Sequence, residues 1–293
     1  MERFLLKLNL RNIFHRMKKI SNYIIFIVLI SFFSSCSPQT KLAREFVNKS
    51  NSYSVMLIQP EFIYKKNLNT NIVDSLGITD VKLRDSILWE QSDFIKKIDD
   101  SLLIANYSLG FITELKNYNI KVYDENESAK FLSLDSNAWM VNIAQIQVEE
   151  EKYEYRDETE YYSYIYYHDH ILNAVNINSW FEVSMINSND QKPNVYYATN
   201  TITDELESSY DFDIFNDKVS YIYDIDSLNL SKIYEYSYLL GRIYATYTFD
   251  FIMNDYVNKH LGYPIKKEEL LRYIPISRTL IPAGENRFIS LDE

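Results

Sequence analysis

Glycine and proline are so scarce in this chain that it has few places to turn sharply or to form a flexible linker. Only five glycines and six prolines occur among 293 residues, and three of the prolines follow residue 263. These two residue types are the strongest markers of turns and loops. No Ser/Gly/Pro-rich linker, tandem repeat or low-complexity tract is present. We therefore expect a single domain over residues 51–263, preceded by a tether at 36–50 and followed by an irregular C-terminal tail at 264–293.

Two stretches carry the apolar periodicity of amphipathic helices. Apolar residues recur at spacings of three, four and seven between Leu83 and Asn117, and at spacings of three and four between Ser231 and His260. Such spacing places them along one face of a helix, which is then buried against a core. The first stretch predicts one long helix or a helix pair, and the second predicts one long helix that ends at Gly262.

Shorter stretches predict a small sheet. Val55–Tyr64 and Ile120–Tyr123 are β-rich runs, and the apolar alternation of Trp139–Val148 changes phase midway, as a bulged strand requires. Val175–Met185 alternates cleanly and is followed, after a polar turn, by its hairpin partner Val195–Thr203. The predicted fold is α+β, with a small mixed or antiparallel sheet packed by two long helices.

This order of elements resembles the layout of the TolB N-terminal domain and of curli-secretion-type periplasmic lipoproteins. The matching stretches are Val55–Pro60, Ile120–Glu125 and Ala138–Val148 followed by the hairpin. The resemblance implies a helix packed on a small mixed sheet and a role in cell-envelope assembly. It assigns no functional residue.

Residues 1–35 have the three parts of a secretory signal peptide. Lys18-Lys19 supplies the basic start, Tyr23–Phe33 the apolar stretch and Ser34-Ser35 the small residues before a cut. The apolar stretch is shorter than the roughly 17 to 25 residues of a spanning helix. We expect it to be cleaved, and Met17 to be the true start of translation.

Phe33-Ser34-Ser35-Cys36 resembles the lipobox of bacterial lipoproteins, in which the cysteine is acylated and becomes the mature N-terminus. Cys36 is the only cysteine, so no disulfide partner exists within the chain. Acyl chains such as palmitate would hold the protein on a membrane. Ser37–Lys41 lacks the acidic residues that retain lipoproteins at the inner membrane or, in Bacteroidota, export them to the surface. This resemblance implies an outer-membrane anchor with the body facing the periplasm.

The overall charge excludes one class of partner. The formal net charge is −11 at pH 7, and the signal peptide holds more basic than acidic residues, so the mature chain is more acidic still. Nucleic-acid binding depends on clustered Lys and Arg that contact phosphates. We expect no nucleic-acid partner.

Familiar catalytic signatures are missing from the sequence. It contains no G-x-S-x-G, no P-loop, no G-x-G-x-x-G, no H-E-x-x-H and no C-x-x-C. We therefore expect no cofactor and no enzymatic activity. The leading hypothesis is a non-catalytic, lipid-anchored cell-envelope protein that binds or assembles with other envelope components.

One histidine pair supports an alternative hypothesis. His168 and His170 would point to the same face of a strand, where Glu158 or Glu160 from a paired strand could complete a metal site. The alternative function is a metal-dependent hydrolase that uses the two histidines.

Acidic residues alternate with tyrosines between Glu149 and Tyr167. This pattern predicts either a projecting hairpin flap whose aromatic face binds a protein or a glycan, or a solvated acidic hairpin whose tyrosines cover the edge of the sheet. A glycan-binding lipoprotein is therefore a further alternative. The tyrosines predicted to contact a partner are Tyr153, Tyr155, Tyr161, Tyr162, Tyr164 and Tyr166.

Overall fold

Long hairpins and long helices account for much of the structure of the described residues. The computed structural model describes residues 38–134, 136–161, 164–186, 193–213, 218–262 and 270–291. Cys36 and the signal peptide lie outside these residues. The described residues fall into two compact units. The larger consists of residues from 50–249 and from 285 onward, and the smaller of residues up to 49 and from 250–284.

The described residues contain both helices and strands. The helices are α1 (Pro38–Asn48), α2 (Asn71–Ser75), α3 (Val81–Glu90), α4 (Asp100–Asn117), α5 (Ser128–Leu132) and α6 (Leu230–Leu261). The strands are β1 (Ser54–Ile58), β2 (Tyr64–Asn67), β3 (Lys121–Tyr123), β4 (Ala138–Tyr161), β5 (Tyr164–Met185), β6 (Asn194–Thr203), β7 (Glu205–Asp213), β8 (Lys218–Asp226), β9 (Leu271–Ile274), β10 (Thr279–Pro282) and β11 (Ile289–Ser290).

Among the described residues, the larger unit contains a seven-stranded mixed sheet. Its order is β11-β6-β5-β4-β1-β3, and β2 pairs with β4 further along that strand. β1 runs parallel to β3 and β4, whereas β4, β5, β6 and β11 pair antiparallel. The α+β class, with its mixed sheet and two long helices, is confirmed. The predicted bulge is also confirmed, because the β4–β5 register shifts between Ile143 and Gln145.

Helices α4 and α6 cover one face of this sheet. The Tyr107 hydroxyl of α4 and Ser179 Oγ of β5 are 3.2 Å apart, and the Tyr244 ring of α6 meets the Phe181 ring edge-on at 5.5 Å. All four side chains are fully buried. Because strand side chains alternate between faces, the opposite face of β4 and β5 carries the intervening polar residues.

Two predicted segments differ in detail from the structure, and a third, Leu83–Asn117, takes one of its two predicted forms. Val55–Tyr64 is not one strand, since β1 ends at Ile58 and β2 begins at Tyr64. Leu83–Asn117 is a helix pair, α3 and α4, interrupted at residues 91–99. Residues 264–293, predicted to be an irregular tail, contain the β9–β10 hairpin and β11.

The smaller unit joins α1, the end of α6 and the β9–β10 hairpin. Phe46 of α1 packs on Tyr256 of α6, with ring centroids 5.7 Å apart. The side-chain amide of Asn254 donates to the Leu271 carbonyl oxygen at 2.7 Å and accepts from the Leu271 N–H at 3.1 Å. Asn254 therefore fixes β9 against α6. Within the residues described, no helix is long and apolar enough to cross a membrane.

Candidate interaction arm

The β4–β5 hairpin extends well past the sheet to which it belongs. β6 pairs with β5 only from Ala174 to Val183, whereas β4 and β5 remain paired out to Tyr161 and Tyr164. Beyond the sheet, residues 153–161 and 164–172 thus form a two-stranded projection. We call this projection, together with the β7–β8 hairpin that packs on it, the arm. The predicted projecting hairpin is present in this form.

The β7–β8 hairpin covers one face of the projection, the inner face. The ring of His168 lies 4.3 Å from the ring of Tyr221, and the ring of His170 lies 4.2 Å from that of Tyr223. The Tyr223 hydroxyl donates to Asp157 Oδ2 at 3.1 Å. Burial, and then the hydrogen bond to Asp157, raise the pKa of Tyr223 to about 12. The histidines therefore pack on tyrosine rings.

The proposed metal site does not form around these histidines. Glu158 is paired with Tyr167 and Glu160 with Ile165, so strand alternation places both carboxylates on the face opposite His168 and His170. That part of the metal hypothesis is wrong. The β4 residues that share a face with the two histidines are the odd-numbered ones, whereas Glu158 and Glu160 are even-numbered. No cluster of three or more His, Cys, Asp or Glu side chains able to hold a metal ion is found within the residues that the structure describes.

The outer face of the arm exposes a row of apolar side chains. Ile165, Tyr167 and Ile171 are 53%, 52% and 70% exposed. On β5 they continue the same face as Val175 and Ile177, which are completely buried against the core. The face that is buried in the body of the protein thus runs on along the arm as an exposed strip, in which these three side chains lie opposite Glu154, Glu158 and Glu160 of β4.

An ion pair lies within this strip. Arg156 donates from Nε to Asp169 Oδ1 at 2.6 Å and from Nη2 to Asp169 Oδ2 at 3.1 Å, and its guanidinium lies 5.3 Å from the centre of the Tyr167 ring. The hydrogen bond from Arg156 lowers the pKa of Asp169. Exposed pairs add little stability, but the two parallel bonds hold the guanidinium and the Tyr167 ring in a defined arrangement.

The tyrosines predicted as contacts lie mostly on the covered face. Tyr155 and Tyr166 share the inner face with His168 and His170, although each remains about two-fifths exposed. Tyr153 is half-buried at the base of the arm. Tyr161 and Tyr164 are the last paired residues of the two strands, and Tyr162 lies outside the described residues.

The outer residues were missed by the sequence prediction. Ile165, Tyr167 and Ile171 alternate with the predicted positions along β5, so the same period-two pattern could have identified them. The β7–β8 hairpin was also missed, although acidic and apolar residues alternate at both ends of β7 and at the end of β8. Without β7–β8, the sequence does not distinguish the covered face from the open one.

A buried carboxylate fixes the base of the arm. Asp204, between β6 and β7, accepts from the N–H and the side-chain amide of Asn173 at 2.8 and 2.9 Å, and from the N–H of Leu228 at 2.6 Å. Asp204 is only 5% exposed. It thereby joins β5 to both ends of the β7–β8 hairpin.

The chain matches no protein-family model, and no curated protein matches its sequence. The fold and the arm define it as an α+β protein with a projecting arm of two hairpins.

Proposed function

We propose that this protein is a non-catalytic, lipid-anchored component of the bacterial cell envelope that binds another envelope protein through the outer face of its arm. The observation that supports the proposal is the exposed strip of Ile165, Tyr167 and Ile171. Exposed apolar side chains grouped on one face of a monomer commonly mark a protein-binding site. Tyrosine and arginine, which Tyr167 and Arg156 supply here, are enriched at such interfaces.

The lipid anchor is the second part of the proposal. Acylation of Cys36 would hold the body at the outer membrane, facing the periplasm, as the resemblance to the lipobox implies. An anchored protein meets membrane partners at high local concentration, so a modest interface on the arm would be sufficient for association.

The alternative glycan-binding role of the acidic tyrosine segment has less support. It requires Tyr155 and Tyr166 to be presented to a ligand, and both lie on the face that β8 covers. The Tyr166 and Tyr221 rings, for example, are 6.2 Å apart. The hydrolase alternative relies on Glu158 and Glu160, and both lie on the face opposite His168 and His170.

Crosslinking in native membranes followed by affinity purification tests the proposal. We expect one or more envelope proteins to be recovered with the wild-type chain, and to be lost when Ile165, Tyr167 and Ile171 are changed together to serine. The matched control changes two exposed leucines outside the arm, Leu109 on α4 and Leu239 on α6, to serine.

The control variant should retain the partner, because it loses exposed apolar area of the same kind elsewhere. Recovery that is unchanged in the arm variant, or equally reduced in the control, would exclude the arm as the binding surface. Circular dichroism of both variants checks that each is folded before the comparison is made.

A further inference from the structure

The face of the sheet opposite α4 and α6 is open and carries an ordered array of amides, carboxylates and aromatic rings. Four adjacent strands contribute to it, in the order β6, β5, β4 and β2. Their registers align the side chains in rows that run across the strands. The rows are Tyr197, Trp180 and Gln145; then Thr199, Asn178, Gln147 and Tyr64; then Thr201, Asn176, Glu149 and Lys66.

Hydrogen bonds link this array along and across the strands. The Tyr197 hydroxyl donates to Asn178 Oδ1 at 2.6 Å, and the Asn178 amide donates to Glu149 Oε2 at 3.0 Å. Gln147 donates to Glu149 Oε1 at 2.7 Å. A further hydrogen bond lies on the same face of the sheet, where the side-chain amide of Asn142 donates to Glu182 Oε2 at 2.9 Å. These bonds hold the polar groups in fixed positions before any ligand arrives.

Aromatic side chains flank the array on both sides. At the β5–β6 side, the Trp180 and Tyr197 rings lie 5.1 Å apart. At the β2 edge, Tyr64 and Trp89 are 49% and 40% exposed. A cavity of about 490 Å³ lies at this edge, and its lining includes both rings and the polar side chain of Gln147.

We propose that this open face binds a neutral polysaccharide chain. Sugar rings have hydroxyl groups at their rims, which fixed amides and carboxylates can bind through paired hydrogen bonds, and less polar faces that pack on aromatic rings. The array supplies the polar contacts, and the rings that flank it supply the apolar ones. Four strands about 4.8 Å apart span roughly 14 Å, so the surface accommodates a chain of several rings.

The charges of the face select among polymers. Glu149 and Glu182 are carboxylates, and acidic polysaccharides would be repelled by them. Phosphate-rich polymers require clustered Lys or Arg, and Lys66 is the only basic residue in the three rows. Rows of side chains that run across four strands suit an extended chain better than a single sugar, which is bound within one pocket. This site is separate from the arm and does not depend on the partner proposed above.

Affinity electrophoresis tests the proposal with defined probes. The purified full-length protein is run in native gels that contain dextran, galactomannan or xyloglucan, and in a gel that contains polygalacturonate. We expect at least one neutral polysaccharide to slow migration, and polygalacturonate to have no effect. Titration calorimetry with that neutral polysaccharide then measures the affinity. Removing one aromatic anchor of a binding surface weakens binding by at least about tenfold, which is the loss expected for Trp180→Ala.

Two further variants make the test decisive. Tyr64→Ala removes a half-exposed ring at the sheet edge and should weaken binding even if Trp180→Ala fails to fold. Tyr210→Ala removes a tyrosine of β7 that is 65% exposed and lies outside the array, and it should bind as the wild type does. The proposal is overturned if no neutral polysaccharide slows the wild type, if polygalacturonate slows it more, or if folded Tyr64→Ala binds unchanged. In those cases the array only stabilises an exposed sheet face.

Discussion

Gly241 of α6 lies so close to Tyr107 of α4 that a Cβ on the glycine would be 1.9 Å from the Tyr107 carbonyl oxygen. The relationship is reciprocal, since a Cβ on Gly110 of α4 would be 2.0 Å from the carbonyl oxygen of Tyr238 of α6. No side chain fits at either position. The two helices therefore cross backbone against backbone, which allows both to pack on the same face of the sheet.

Gly110→Ala and Gly241→Ala should each destabilise the protein strongly. In an exposed helix, replacing Gly by Ala stabilises by about 1 kcal/mol. At this crossing the added methyl group can be accommodated only if the helices separate, so we expect a loss of about 3 kcal/mol. Chemical denaturation measures the difference.

Leu109→Ala is the control, because Leu109 precedes Gly110 on α4 and is 56% exposed. It should change the free energy of unfolding by less than about 0.5 kcal/mol. Glycine variants as stable as the wild type would show that the helices do not cross as closely as described.

The helices were predictable from sequence, but their crossing was not. Apolar periodicity located α4 and α6 because it reports which face of a helix is buried. From sequence alone, a glycine within such a pattern only weakens the prediction of a helix. The close approach of the other helix's backbone explains why glycine occurs there. The interruption of the first predicted helix at 91–99 could not be predicted for a similar reason. The residue that stabilises it, Glu150, is distant in sequence.

Glu150 of β4 stabilises that interruption. Its carboxylate accepts hydrogen bonds from the N–H groups of Asp93, Phe94 and Ile95 at 2.7, 2.9 and 3.0 Å, and the residue is 1% exposed. In Glu150→Gln an NH₂ group would face backbone donors. Hydrogen bonds to a buried charge are the strong ones, so we expect a loss of about 3 kcal/mol by denaturation. Glu154→Gln, on the exposed part of β4, should have little effect, and equal stability of the two variants would contradict this role.

Asp204 provides a test of the arm as a unit. Replacing it with alanine leaves three donors without their acceptor, the buried N–H of Leu228 and two part-buried groups of Asn173. The expected loss is about 2 kcal/mol or more. Hydrogen exchange should show faster exchange in β7 and β8, while β1 and the part of β4 within the sheet, residues 138–150, remain protected. Protection that falls equally in all strands would show that the arm does not open separately from the sheet.

The lipid anchor is tested at Cys36. Cys36→Ala removes the thiol on which both cleavage and acylation depend, so we expect an unprocessed precursor that no longer incorporates a palmitate analogue. Ser35→Ala keeps a small residue before the cysteine and should still be labelled. Incorporation of the analogue into Cys36→Ala would rule out this residue as the acylation site.

The candidate site could be predicted only in part. The alternation of Glu149–Tyr167 predicts the projecting hairpin, because the period-two pattern depends on the strand alone. Which face is open depends on β8, whose Tyr221 and Tyr223 pack on the histidines. The polar array on the sheet could not be predicted, because it requires the register between four strands, of which β2 was not recognised separately from β1.

Asp250, in the smaller unit, has a buried carboxyl group whose polar neighbours do not fully offset the cost of burying its charge. Its Oδ1 accepts from the Tyr273 N–H at 3.0 Å, and its Oδ2 lies 3.9 Å from Arg272 Nε. Burial raises the pKa of Asp250 to about 7, against the lowering effects of the Tyr273 N–H and of Arg272. The folded protein therefore holds a proton on this side chain under conditions in which the unfolded chain, with an aspartate pKa near 3.9, has lost it.

The stability contributed by this proton should depend on pH in a defined direction. It is fully present below about pH 4, where both states are protonated, and is lost as the pH rises through about 7. Asp250→Asn stays neutral and keeps an oxygen to accept from Tyr273. We expect it to match the wild type near pH 4 and to be more stable at pH 8.5, by up to about 4 kcal/mol. Denaturation of both proteins across this range measures the effect. Asp85→Asn, an exposed change on α3, should follow the wild-type profile, and an Asp250→Asn profile parallel to the wild type would show that Asp250 ionises normally.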